Sequence, residues 1–222
     1  MTVACLFSGG KDSTLALHKA YSEGIKTDLL ITMEPENDYS YMFHKPNIEF
    51  TKMQADTLGI KQIMSITKGE KELELSDLEN VIKDNNIDTI ITGAIASEYQ
   101  KKRVDDICKK FNIKDYSPLW GIDPLSELKE LSNSFNAIIT KVSAEGMDSS
   151  LLGKRIDSEI IEKLMKINQK YKIHLAFEGG EAESFVLDAP LFKRKLVIDE
   201  SEIKMDGSNG EFIIKKMHTE EK

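Results

Sequence analysis

Apolar residues in the first half of this chain fall into two alternating kinds of run. The short β-rich runs TVACLF, TDLLITM, IKQIMSI and IDTIITGAI each lead into polar residues, glycine or proline, and predict strands. Between them, STLALHKAYSEG, IEFTKMQADTLG, ELELSDLENVIKDNN and ASEYQKKRVDDICKKFN space their apolar positions as helices do; in the last, Val104, Ile107, Cys108 and Phe111 share one face. Gly24 and Gly59 are the expected helix stops, and PENDYSYMFHKPN, with a proline near each end, reads as a loop. Strands alternating with helices imply a parallel sheet covered on both faces. In such sheets ligands sit beyond the carboxyl ends of the strands, where Ser8-Gly9-Gly10, Met33-Glu34 and Gly93 fall.

The rhythm changes after YSPLWGIDP, whose Pro118, Gly121 and Pro124 punctuate the chain. A boundary near residue 122 is expected, giving domains 1–122 and 123–222. The second half predicts helices at LSELKELSNS and SEIIEKLMKINQKYK. Strands are predicted at NAIITKVSA, SFVLDAP, RKLVIDESEIKMD and GEFIIKKMH, with EGMDSSLLGKRID as loop and TEEK as a frayed end. This half is a smaller α+β domain.

Composition narrows the classes. The chain has 222 residues, 40% of them apolar, which suits a globular protein rather than a disordered one. A net charge of -8 is a poor match for nucleic acid, so no direct nucleic-acid partner is expected. The basic runs Lys101-Lys102-Arg103 and Lys193-Arg194-Lys195 read as solvated faces. Apolar runs stay well short of the ~18 residues a membrane span needs, and the N-terminus reads directly as a strand, so a cytoplasmic protein is expected. The two cysteines, Cys5 and Cys108, form no C-x-x-C pair, and no His/Cys/Asp cluster has zinc spacing.

The first strand ends in a turn that carries chemistry. In LFSGGKDSTLALHKA a glycine pair joins strand to helix, aiming backbone N–H groups and the positive end of a helix dipole at one point. Lys11 adds a charge able to follow a leaving phosphate, and Ser8 and Ser13 add hydroxyls. Walker A spacing is absent, because Asp12 follows Lys11, and so is G-x-G-x-x-G.

The string S-G-G-K-D-S resembles the PP-loop of ATP pyrophosphatases, which cleave ATP between its α and β phosphates. The resemblance implies an adenine-nucleotide alpha-hydrolase-like (HUP or Rossmann-like) parallel-sheet α/β domain. It implies that Ser8, Gly9, Gly10 and Ser13 hold the departing phosphates, that Lys11 neutralises them, and that Asp12 helps hold Mg²⁺ or orders the turn. Met33 and Gly93 join this ATP-binding set.

Further stretches are more specific. GAIASEYQKKRVDDICKKFNIKDYSPLWGIDP, KVSAEGMDSSLLGKRID and EGGEAESFVLDAPLFK, taken with the PP-loop, resemble the diphthine–ammonia ligase (diphthamide synthase) family over nearly the whole chain, in the compact length of its archaeal type. That resemblance implies ATP-dependent amidation of diphthine, a modified histidine on translation elongation factor 2 bearing a trimethylammonium group and a carboxylate. The carboxylate would be adenylated with loss of pyrophosphate, and ammonium would supply the amide nitrogen. The two domains would hold ATP-Mg²⁺ in the cleft between them. The rival readings are a PP-loop enzyme adenylating another carbonyl, such as a tRNA base, and a non-catalytic nucleotide sensor.

Glu178, Gly179, Gly180, Glu181, Glu183 and Asp188 concentrate carboxylates around two glycines. Such a strip suits Mg²⁺, ammonium or a quaternary ammonium, and it equally suits a glycine turn into an acidic edge strand. With the family in view, Glu181 and Glu183 become catalytic candidates beside Lys11 and Asp12. The family pattern G-E-G-G-E-[aromatic]-E-T is departed from at Phe177, Ala182 and Ser184. Tyr99 and Trp120 are aromatic candidates for the cationic substrate group. Trp120 also reads as a plug between domains, and Arg103 as either a phosphate ligand or a surface ion-pair partner. His18 and His44 are weaker candidates.

Overall fold

The computed structural model describes residues 1–35, 47–67 and 73–222. His44 and most of the loop around it lie outside them. The chain divides into two compact units. One comprises Met1–Ser8 with Asp12–Trp120, and the other Gly9–Lys11 with Gly121–Lys222. The middle of the Ser8–Ser13 turn therefore belongs to the second unit.

The first unit is a five-stranded parallel sheet. Its strands are β1 (Thr2–Leu6), β2 (Leu29–Pro35), β3 (Lys61–Thr67), β4 (Ile87–Ile91) and β5 (Lys114–Tyr116), in the order β3-β2-β1-β4-β5. Helices α1 (Lys11–Ser22), α2 (Thr51–Leu58), α3 (Leu73–Asp84) and α4 (Glu98–Phe111) alternate with them, and a 3-10 turn at Ile48–Phe50 leads into α2. Alternate residues Leu29, Ile31 and Met33 of β2 pack with Ala4, Ile87 and Ile90 against Leu78, Val81 and Ile82 of α3 and Val104, Ile107 and Cys108 of α4. Cys5, Leu30 and Ile91 are buried as well, which is why these strands read as continuous apolar runs. The predicted α/β class holds. The edge strand β5 was not predicted, because Lys114–Tyr116 is too short and polar to show a period.

Strand order reverses between β1 and β4, so the loops leaving those two strands diverge and open a crevice at their carboxyl ends. The turn after β1 and Gly93 after β4 both lie at this switch point. Met33 does not follow β2 as expected: pairing with β3 continues to Pro35, with Met33 opposite Ser65, so the strand runs past it.

The second unit is built on an antiparallel sheet, β7-β6-β9-β8, from β6 (Asn136–Val142), β7 (Ala182–Asp188), β8 (Lys195–Asp206) and β9 (Asn209–Glu220). With it go α5 (Pro124–Ser134) and α6 (Ser158–Tyr171), whose Leu128, Leu131, Ile161 and Leu164 are buried like Ile139 of β6 and Val186 of β7. EGMDSSLLGKRID is more than a loop. Gly153 and Ile156 donate N–H bonds to Ile139 and Ala137, extending β6's pairing where β9 stops. TEEK is not frayed, because Thr219 and Glu220 pair with Leu196 and Lys195, and the Lys222 ammonium meets the Asp188 carboxylate at 2.6 Å.

Candidate functional site

In the first unit, β1 delivers Ser8 and α1 delivers Asp12 and Ser13. The Ser8 N–H donates to Ser13 Oγ at 3.3 Å, and the two hydroxyl oxygens also lie 3.3 Å apart. Phe7, just before the turn, is fixed by its N–H to Ile31 O (2.8 Å) and by Thr32 Oγ1 donating to its carbonyl (2.6 Å). Gly93 closes in from β4. A Cβ there would stand 2.7 Å from the Asp12 carbonyl carbon and the Ser13 nitrogen, so only glycine lets the strand end approach the start of α1 this closely. The Met33 side chain is 3% exposed and lies in the core, which leaves only its backbone for a ligand.

Further along this unit, Ser97 caps α4 by accepting from Gln100 N–H. One turn in, the Arg103 guanidinium stacks 3.7 Å above the Tyr99 ring, so these two substrate candidates form one cationic–aromatic pair. Lys101 is no solvated charge: it bridges Asp105 (2.5 Å) and Asp115 (2.6 Å), and Asp115 accepts from Ser117, whose hydroxyl also meets Thr92 Oγ1 at 2.9 Å. Trp120 lies 6.0 Å from the Lys101 ammonium and is 41% exposed. Both thiols are raised, Cys5 by complete burial and Cys108 to about 12 by burial and then by Asp115 and Asp105. Neither is a nucleophile at neutral pH.

In the second unit, the turn's middle is tied into β7. Gly9, at φ 76°, takes the left-handed conformation and accepts a 3.0 Å bond from Val186 N–H. The Lys11 N–H donates to Ser184 Oγ at 3.1 Å, so what position 184 needs is a hydroxyl, and serine serves in place of threonine. The Lys11 ammonium is 1% exposed, 2.9 Å from Glu127 Oε1 of α5, and 5.4 Å from the centre of the Phe177 ring. The charge expected to be mobile is thus an interior ion pair. Sequence reasoning missed Glu127, although a signal exists: it shares the buried face of α5 with Leu128 and Leu131, an acid on an apolar stripe. Phe177 has φ 67°, a conformation glycine takes freely, which explains why glycine is the usual residue there.

The acidic strip divides by role. Glu181 turns inward on its own loop, Oε1 accepting from His174 N–H (2.7 Å) and Oε2 from Gly179 N–H (2.8 Å). Glu183 pairs across the strands with Lys141 at 3.2 Å. Asp188 accepts from Ala189 N–H and pairs with Lys222. Glu178 is partly exposed, and Gly179 and Gly180 are exposed. Among the described residues no group of three or more metal-ligating side chains is found. Asp12, partly exposed in the first turn of α1, fits the usual Mg²⁺ arrangement, in which one or two carboxylates share the ion with substrate phosphates. Among the described residues no helix is long and apolar enough to cross a membrane.

Comparison with known proteins gives a consistent picture. Residues 1–115 match the family model described as diphthamide synthase N-terminal domain, and residues 123–219 match the diphthamide synthase C-terminal domain. A mouse protein named diphthine–ammonia ligase is 30% identical over all of this chain and 94% of its own length; the human one is 32% identical over 91% and 85%. A fission yeast protein of that name is 34% identical over 95% of this chain but only 38% of its own length, so extra length marks that fungal relative rather than the animal ones. A solved chain described as a predicted subunit of tRNA methyltransferase from Methanocaldococcus jannaschii covers 86% of this chain and 98% of its own, at 17% identity and a TM-score of 0.49.

Proposed function

The chain belongs to the diphthamide synthase family, and on that premise we propose that it joins ammonia to the carboxylate of diphthine on translation elongation factor 2 at the expense of ATP. The observation that carries this reading is the turn at the β1/β4 switch point. There a strand end, a helix start and the close approach of Gly93 converge on Ser8, Asp12 and Ser13. Backbone N–H groups and hydroxyls at such a point stabilise the charge that develops on departing phosphates.

In the first step a diphthine carboxylate oxygen attacks the α-phosphorus. The bond from that phosphorus to the α–β bridging oxygen breaks, and pyrophosphate leaves with the electron pair. Ser8, Gly9, Gly10 and Ser13 hold the leaving group, and Lys11 neutralises it. Asp12 would hold Mg²⁺, whose part when bound is to offset phosphate charge. In the second step the ammonia nitrogen attacks the acyl carbon, the bond to the AMP oxygen breaks, and one N–H proton is lost. Glu183 and Glu178 receive ammonium or the trimethylammonium group. Glu181 serves them by holding the Gly179–Gly180 turn in shape. Tyr99, Arg103 and Trp120 provide the aromatic and cationic contacts with the protein substrate.

Incubation with ATP, ammonium and elongation factor 2 carrying diphthine tests this. AMP should accumulate, and the factor should change mass by the replacement of a carboxyl oxygen with nitrogen. Intact ATP and an unchanged factor refute it.

A further inference from the structure

The Lys11–Glu127 pair lies wholly inside the second unit and is more thoroughly buried than a phosphate ligand needs to be. The Lys11 side chain is 1% exposed and the Glu127 side chain 0%. The two residues are 116 apart in the chain. Lys11 is further packed by the ring of Phe177, held at φ 67° where a bulky residue is strained, and its own N–H is anchored on Ser184. An ammonium paired this way presents almost no net charge to an incoming anion, because the carboxylate cancels it at 2.9 Å.

We propose that Glu127 is a positioning residue that acts through Lys11, parking the ammonium in the interior until the phosphates of ATP take it over. The proposal rests on the assignment of Lys11 to the phosphates. Parking keeps the site from carrying an uncompensated positive charge, which would hold any stray anion. It also makes nucleotide affinity lower than the turn alone would give, since ATP must draw Lys11 away from its carboxylate partner. Phe177 completes the device by keeping water off the pair. A charge pair is worth most where water is excluded, so the resting state is well defined.

The test is calorimetric binding of α,β-methylene ATP, which cannot be cleaved at the reacting bond. Glu127→Gln keeps the shape of the side chain and removes its charge, and it should tighten Kd about tenfold, the scale of one close charge pair broken on binding. Glu127→Asp, which lengthens the pair without abolishing it, should give a smaller gain and serves if the glutamine variant folds poorly. In a Lys11→Ala background, Glu127→Gln should give no gain, because the effect runs through Lys11. Unchanged or weaker binding by both Glu127 variants overturns the proposal, as does an equal gain in the Lys11→Ala background. If Lys11→Ala/Glu127→Gln binds the analogue as tightly as wild type, the assignment of Lys11 to phosphate fails, and the proposal with it. If that double variant loses affinity while Glu127→Gln alone gains none, only the proposal fails.

Discussion

The chain carries two Gly-Gly turns among charged residues, Ser8–Ser13 and Glu178–Glu183, and they use their polar groups in opposite ways. In the acidic turn, Glu181 is spent on its own backbone, taking the N–H groups of His174 and Gly179, while Glu183 is matched across the sheet by Lys141. In the Ser8–Ser13 turn, the Lys11 charge is held from afar, by Glu127 on another element. A loop that braces itself keeps its shape whether or not a ligand is present. A charge held by a distant partner can be exchanged for a ligand. The first arrangement suits a surface that receives a substrate, the second a group that must change partners.

The largest expected effect would break this comparison at Lys11. Lys11→Ala should lower kcat/KM for ATP about 10²–10³-fold, the scale for removing a preorganised stabilising group. It should also cost about 3–5 kcal/mol of stability, because Glu127 is left buried without its cation. Adding Glu127→Gln should restore the melting temperature and not the turnover. If turnover returned together with stability, Lys11 would be a structural residue.

Gly93→Ala comes next. Its Cβ would meet Asp12 and Ser13 backbone atoms at 2.7 Å, and backbone cannot swing aside as a flexible side chain would. A cost of about 1–3 kcal/mol is expected, with weaker ATP binding in calorimetry. Retained affinity and stability would show that the β4 end does not shape the turn.

Two acids in one loop then give opposite readouts. Glu181→Gln should lower stability by about 1–3 kcal/mol, since the amide can accept for only one of the two N–H groups and sets a donor against the other. Glu183→Gln loses a partly exposed pair worth about 0–1 kcal/mol, and should instead slow amide formation while ATP binding persists. Denaturation midpoints and single-turnover assays separate the two. Equal loss of stability in both would erase the division of the strip.

The smallest effect lies on the β8–β9 hairpin, remote in sequence from both turns. Asp199 and then Glu220, bonded to the His218 ring, raise its pKa above the ordinary 6.5. A raised folded-state pKa means that this contribution is fully present below about pH 6.5 and fades as pH rises through the higher folded value. His218→Asn should remove that part of the pH dependence of the melting temperature and leave turnover unchanged. A flat wild-type profile across that window would contradict it.

Much of this was legible in the chain. Apolar periodicity marks four of the five parallel strands and the helices between them: β2 is buried nearly throughout, and β3 at the sheet edge still shows its apolar residues although Met64 and Ile66 are exposed. β5 escaped because three residues pairing with one neighbour need no long apolar run. The S-G-G-K-D-S turn and the E-G-G-E strip were legible as chemistry, since both are local strings. Glu127 showed only as an acid on the buried stripe of α5, and nothing in the string ties it to Lys11. Position 177 showed as a departure from glycine, yet its positive φ and the nearness of its ring to Lys11 needed coordinates.

The sequence by itself determined the alternation of strands and helices in the first half, short of β5, the S-G-G-K-D-S turn between β1 and α1, and the family. These depend on residues within a few positions of one another, where propensity, periodicity and motif spacing act. Only the tertiary structure decided which charges meet. It ran β2 on past Met33 in register with β3, stacked Arg103 on Tyr99, set Lys141 opposite Glu183, and joined Lys11 to Glu127 across 116 residues. The reason is physical: partner choice among charges follows from register and helix packing, and the free energy that fixes those is the burial of apolar surface, which is blind to the charges it brings together.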